Sequence, residues 1–96
     1  MTYTIEKVTT LIGARRFGEH VARIGFILAD SRSLCFPEET LFFALRSERN
    51  DGHHYIPELY RRGVRNFVVT EVPFNRETDY PDANFLKVVD TLEALQ

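Results

Sequence analysis

Apolar residues recur along this chain in two rhythms. Near the amino end Ile5, Val8, Leu11 and Ile12 share one helical face. Thr4 is placed to cap such a helix, Glu6 suits its electropositive first turn and Gly13 suits its end, so a helix is predicted over about residues 4–12. The rhythm then changes. Arg23-Ile24-Gly25-Phe26-Ile27-Leu28-Ala29 is apolar, β-branched and aromatic and stops at Asp30, which predicts a strand. Thr40 to Leu45 is a nearly unbroken apolar run, the mark of a strand covered on both faces. Asn66-Phe67-Val68-Val69-Thr70 and Phe85-Leu86-Lys87-Val88-Val89 also read as strands. Between them Ile56, Leu59 and Tyr60 return to helical spacing, with Pro57 suited to a first turn and Gly63 to a stop.

The connecting segments carry turn signals. Ala14 to Val21, with Gly18 in its middle, fits a strand, a turn or a short hairpin. Leu34 to Glu39 reads as a connection, Asn50-Asp51-Gly52 as a turn, and Val72 to Asp82, with Pro73 and Pro81, as a surface loop. Asp90 opens an Asp-x-x-Glu pattern with Glu93, and the helix it starts meets Gln96 after one turn, without a C-cap. That leads us to expect a chain cut at a domain boundary. Strands alternating with helices predict an α/β domain: a small mixed sheet of about four to five strands packed with about two to three short helices.

Ligands of such sheets gather beyond the carboxyl ends of the strands. Asp30-Ser31-Arg32 follows one predicted strand and Ser47-Glu48-Arg49-Asn50 follows the next. If those strands are neighbours and parallel, both polar clusters lie on one rim.

Composition narrows the class. The 96 residues are 44% hydrophobic and 27% charged, enough for one domain with its own core. A net charge of −2 argues against a nucleic-acid module, and Arg15-Arg16 and Arg61-Arg62 read as solvated surface. A single cysteine, Cys35, cannot form an internal disulfide, and no spacing matches a zinc site, so a reducing, cytoplasmic setting is expected and Cys35 reads as a packing residue. No apolar run approaches the ~20 residues of a membrane span. Met1 to Lys7 lacks the apolar stretch of a signal peptide. His53-His54 reads as a pair of solvated imidazoles at a helix start, Asp51 and Gly52 as turn formers, and Phe42 and Phe43 as core, with one ring edge free to border a ligand.

Asp-Ser-Arg at 30–32, Pro-Glu-Glu-Thr-Leu-Phe-Phe-Ala-Leu at 37–45, Asn-Asp-Gly-His at 50–53, Tyr-Ile-Pro-Glu-Leu at 55–59 and Gly-Val-Arg-Asn-Phe-Val-Val at 63–69 together resemble the N-terminal domain of the Mur ligases. These are the ATP-dependent enzymes that build the peptide stem of peptidoglycan. The likeness spans about residues 5–95. It is strongest to the branch that adds D-alanyl-D-alanine, including forms fused to an alanine racemase; the sister branch that adds the third stem residue shares the motif.

The resemblance implies a domain holding the uridine-diphosphate end of a UDP-N-acetylmuramoyl-tripeptide, with ATP and magnesium bound elsewhere in the parent chain and pyridoxal phosphate present if a racemase is fused. This chain has no Gly-x-x-Gly-Lys-[Ser/Thr] segment, so residues 1–96 are expected to form one substrate-binding domain, cut at the start of the linker to an ATP-binding domain, with no catalytic or metal-binding residue of its own. The implied partners are the muramoyl peptide and the rest of the parent chain. The family's uridine contacts fall on Ala29, Asp30, Ser31, Arg32, Ser47, Glu48, Arg49 and Asn50. Ser31 and Asn50 both donate and accept, as reading uracil requires, while Arg32, Arg49 and the helix start near His54 suit a diphosphate. Many family members have Gly-x-x-x-Asp-Gly in the second loop; here Ser47 stands in place of that glycine. A non-catalytic domain that binds protein through the same rim is the alternative from another class.

Overall fold

In the computed structural model, which describes residues 1–96, the chain forms β1 (Tyr3–Thr4), α1 (Ile5–Leu11), β2 (Arg15–Phe17), β3 (Arg23–Ile24), β4 (Phe26–Leu28), β5 (Thr40–Phe43), α2 (Ile56–Arg61), β6 (Asn66–Val69), α3 (Arg76–Asp79), β7 (Asn84–Lys87) and α4 (Thr91–Leu95). Single turns of 3-10 helix occupy Ser31–Ser33, Pro37–Glu39 and Gly52–Tyr55. Five strands make one sheet in the order β2-β7-β6-β5-β4. Its β4–β5, β5–β6 and β6–β7 pairs are parallel, and β2 closes one edge antiparallel to β7. The expected mixed α/β sheet is therefore present, with four short α-helices.

Two stretches differ from expectation. Residues 23–29 form two strands rather than one. At Gly25 the chain changes partner: β3 pairs with β1 in a separate two-stranded ribbon, and β4 joins the main sheet. The Gly25 amide still donates to the Glu39 carbonyl, so the break is a bend and not a loop. Within the 72–82 segment, α3 is a single exposed turn of charged residues with no apolar face to announce it.

Burial on both sides of the sheet explains the unbroken apolar runs. Phe42, Ala44, Phe67, Val69 and Phe85 point to the face covered by Ile56 and Leu59 of α2. Leu41, Phe43, Val68 and Leu86 point to the opposite face, against Ile5 and Val8 of α1. The alternation has the period of two that a pleated strand imposes. On the α2 side the Phe67 and Phe85 rings stack with 5.3 Å between centroids, within the spacing usual for aromatic pairs.

The helix ends follow their local chemistry. The Thr4 hydroxyl accepts from the Lys7 amide at the start of α1. Gly63, at φ 105°, takes the left-handed turn that releases α2. Asp90 caps α4 by accepting from the Leu92 and Glu93 amides. The paired arginines are not idle surface either: Arg16 bonds Asn84, Glu6 and the His20 carbonyl, and Arg62 reaches the Ser31 carbonyl.

Replacing Phe67 by Ala should destabilise the chain by about 3–5 kcal/mol in urea unfolding, because it empties the centre of one core layer. Val89→Ala, at a fully exposed position, should change stability by no more than about 0.5 kcal/mol. Comparable losses at both positions would contradict this division of core and surface.

Candidate functional site

β4 and β5 run side by side and parallel, in the register Phe26↔Thr40, Ile27↔Leu41 and Leu28↔Phe42. The loops that follow them therefore leave the sheet at the same end. β6 continues the parallel set beside β5 and brings Thr70 to that rim.

The first loop is organised by Asp30. Its Oδ1 accepts from the Arg32 amide at 2.9 Å, and the Arg32 guanidinium returns to the same carboxylate at 2.7 to 3.1 Å. The side-chain hydrogen bond from Arg32, with its amide second, holds the Asp30 carboxyl down at about 2. Arg32 itself remains 88% exposed. The Ser31 carbonyl accepts from Arg62 Nη1 at 3.0 Å, which ties this turn to the end of α2. Ala29 stands exposed at the exit of β4.

The second loop is closed by its own backbone. Arg46 and Asp51 form a bridge, the Ser47 amide donates to the Asn50 carbonyl at 2.7 Å, and the Gly52 amide donates to the Leu45 carbonyl at 2.7 Å. Gly52 is required by proximity: a Cβ there would lie 2.8 Å from the Leu45 nitrogen and 2.9 Å from the Ala44 Cα. Asp51 anchors the exit by accepting from the His53 amide, His53 Nδ1 and Arg46 Nε. Desolvation pushes its carboxyl up, but the His53 hydrogen bonds and the Arg46 charge prevail and hold it at about 2. Glu48 and Arg49 form the exposed tip, and Arg49 stands outside the ion pairs of the chain.

Four expectations are corrected. Cys35 is exposed and is not a packing residue. His53 is not a solvated imidazole: its side chain is only 13% exposed and links Asp51 to Thr70. His54 alone is exposed. The helix start near residue 54 offers no free anion site, because Asp51 already accepts from the His53 and His54 amides. Phe42 and Phe43 are core, as both are buried, and neither ring presents an exposed edge to the polar rim. Ser47, which stands where the family has glycine, keeps a negative φ, and its amide makes the bond that closes the loop.

A residue that the sequence did not single out supports the second loop. The Tyr55 hydroxyl donates to Asn50 Oδ1 at 3.2 Å. The signal for Tyr55 was the aromatic of Tyr-Ile-Pro just before α2. The Arg32 pKa is raised, chiefly by its hydrogen bond to Asp30. The rim thus offers a free Ser31 hydroxyl, the Asn50 amide group and exposed guanidinium groups, a set able to hold a polar planar base and an anion. An apolar groove of about 630 Å³ lies elsewhere, between α1, α4 and β4, and its lining of Leu11, Phe26, Ile27 and Leu95 suits packing more than polar recognition.

A mainly parallel sheet with two polar loops gathered at its carboxyl rim is an α/β domain of the kind whose ligands gather at that rim. The chain belongs to the Mur ligase family: the family model described as "Mur ligase family, catalytic domain" matches residues 23–96. Its fold is similar to two crystal structures of MurF from Acinetobacter baumannii, at 23% identity over 99% of this chain and 20% of each of those, with TM-scores of 0.80 and 0.81. It is equally similar to the UDP-N-acetylmuramoylalanyl-D-glutamyl-2,6-diaminopimelate–D-alanyl-D-alanyl ligase from the same organism, at 23% identity, the same coverage and a TM-score of 0.81. The chain spans about a fifth of the length of these proteins. No curated protein matches it.

Asp30 and Asp51 are both held below the ordinary value of 3.8. Their ionised forms therefore stabilise the folded chain above about pH 4, and that stabilisation is lost as pH falls through about 2. Asp51→Asn should lower stability at neutral pH and flatten the acid decline between about pH 4 and about pH 2, followed by circular dichroism in urea. Acid profiles that run parallel in the two proteins would show that Asp51 has no such role.

Proposed function

We propose that this chain is the nucleotide-sugar-holding domain of an ATP-dependent ligase that joins D-alanyl-D-alanine to a UDP-N-acetylmuramoyl-tripeptide in the cytoplasm. The observation that carries the reading is the meeting of the two polar loops on one rim, in a chain of the Mur ligase family. The solved neighbours named MurF support the D-alanyl-D-alanine branch over its sister.

Ala29, Asp30, Ser31 and Arg32 then form one wall for the uridine diphosphate, and Ser47, Glu48, Arg49 and Asn50 the other. Ser31 and the Asn50 amide face the base. Arg49 is free to meet the diphosphate, and Arg32 can do so while its exposed guanidinium stays joined to Asp30. Asp30, Asp51 and Gly52 shape the loops. ATP and magnesium belong to other parts of the parent, because this chain lacks the glycine-lysine segment that cradles a triphosphate. Holding the remote UDP end orients the reacting carboxylate without taking part in bond formation. A parent with a fused alanine racemase, and its pyridoxal phosphate, belongs to the same proposal.

Calorimetric titration with UDP-N-acetylmuramic acid should show one weak site. Ser31→Ala combined with Arg49→Ala should weaken it by at least about tenfold while leaving the circular dichroism unchanged. Absence of binding at millimolar ligand, or equal binding by the double variant, would overturn the assignment. In the full-length enzyme, turnover with D-alanyl-D-alanine is expected; turnover with a diamino acid or lysine instead would place it in the sister branch.

A further inference from the structure

We propose that His53 is a positioning residue for the nucleotide-sugar site, and that its neutral imidazole is what holds the 46–52 loop in binding shape. The proposal rests on the function assigned to the rim above.

Both ring nitrogens are engaged. Nε2 lies 3.1 Å from the Thr70 amide nitrogen, and Nδ1 lies 2.7 Å from Asp51 Oδ1. An amide N–H can only donate, so Nε2 must be the bare nitrogen and Nδ1 must carry the proton that is given to Asp51. One side chain thereby pins the end of the loop to the end of β6. The other hydrogen bonds of the loop stay within residues 45–55, so His53 is its tie to β6. Asp51 also takes Arg46, the next residue back is Asn50, and Asn50 in turn holds Ser47 through its carbonyl and Tyr55 through its side chain. A shift of Asp51 is therefore passed directly to Ser47 and Asn50, two of the proposed contact residues.

Protonation would change the partners. From the loop the imidazole faces Asp51, behind which stands Arg46; from β6 it faces the amide and hydroxyl of Thr70. Asp51 stays ionised throughout the range in which an imidazole titrates. A second N–H at Nε2 would point at the Thr70 N–H, and two donors cannot pair. The nearest acceptor is Thr70 Oγ1, at 3.4 Å, so the ring must pivot towards it and leave the Thr70 amide without its partner. Imidazolium would hold Asp51 more tightly while carrying it away from the register that neutral His53 sets.

The test has two arms. In the ligand-free chain, the amide resonances of Thr70, Gly52 and Asn50 should move together with the His53 ring signals as pH falls from about 8 to about 5. With UDP-N-acetylmuramic acid, affinity should fall about fivefold between about pH 7.5 and about pH 5.5, and by less than about twofold in His53→Gln, whose carboxamide offers an acceptor and a donor but does not titrate. Comparison with His53→Gln removes any pH effect arising in the ligand or in His20 and His54. A His53 ring that titrates while the Thr70 amide stays still overturns the proposal, as does the same pH dependence in both proteins. The first arm needs no variant, so it decides even if His53→Gln fails to fold. Loop amides that follow His53 in a chain that binds no ligand at any pH would sink the nucleotide-sugar assignment, and with it the binding role of His53, while leaving the strut intact.

Discussion

Parallel pairing of β4 with β5 is the constraint from which the site follows. Two parallel neighbours must release their next loops at the same end of the sheet, whatever those loops contain. Here one release point is Ala29-Asp30 and the other lies just beyond Ala44. Burial enforces the pairing. β5 is covered on both faces, with Phe42 and Ala44 in one core and Leu41 and Phe43 in the other. A slip of one residue would exchange the two sets and place large rings where small residues fit. Register, core packing and the position of the polar rim are thus one arrangement.

The rim is shaped by short-range bonds that add little to stability. The Asp30–Arg32 pair is exposed, and solvent screens pairs of that kind, so it adds little to stability. Its effect is geometric, because it fixes a three-residue turn whose carbonyl Arg62 then clamps to α2. Around Asp51 the situation differs. Its carboxylate is mostly enclosed and serves the loop, the following helical turn and the imidazole of His53 at once. Gly52 lets this junction lie directly on the backbone of Ala44 and Leu45. The bonded junction here and the exposed, unpaired Arg49 at the tip suit the proposed site, in which ordered groups read a base and a guanidinium meets an anion.

Much of the fold was legible in the amino acids. The face of Ile5, Val8 and Ile12, the stops at Gly13 and Gly63, and the apolar run at residues 40–45 each express a local rule that packing upheld, while Leu11 of the same predicted face stands exposed. The break at Gly25 was not legible, since an apolar sequence says nothing about which strand it will pair with. Nor was α3, a turn without an apolar face. At the rim, the segments containing the two loops could be located from their polar residues, but their internal bonding could not. His53 resembled a surface imidazole because its partner Thr70 lies on another strand, and Tyr55 resembled a helix-start aromatic because Asn50 lies across a folded turn. Such partners are set by tertiary approach, which no local pattern encodes.

Mapping the ligand on the folded chain tests the central claim most directly. Backbone amide shifts can be recorded during titration with UDP-N-acetylmuramic acid. Shifts concentrated at Ser31, Arg32, Ser47 to Asn50 and Tyr55 are the predicted result. Shifts centred on the opposite rim, at Arg15 to His20, or in the apolar groove beside Leu11 and Phe26, would contradict it.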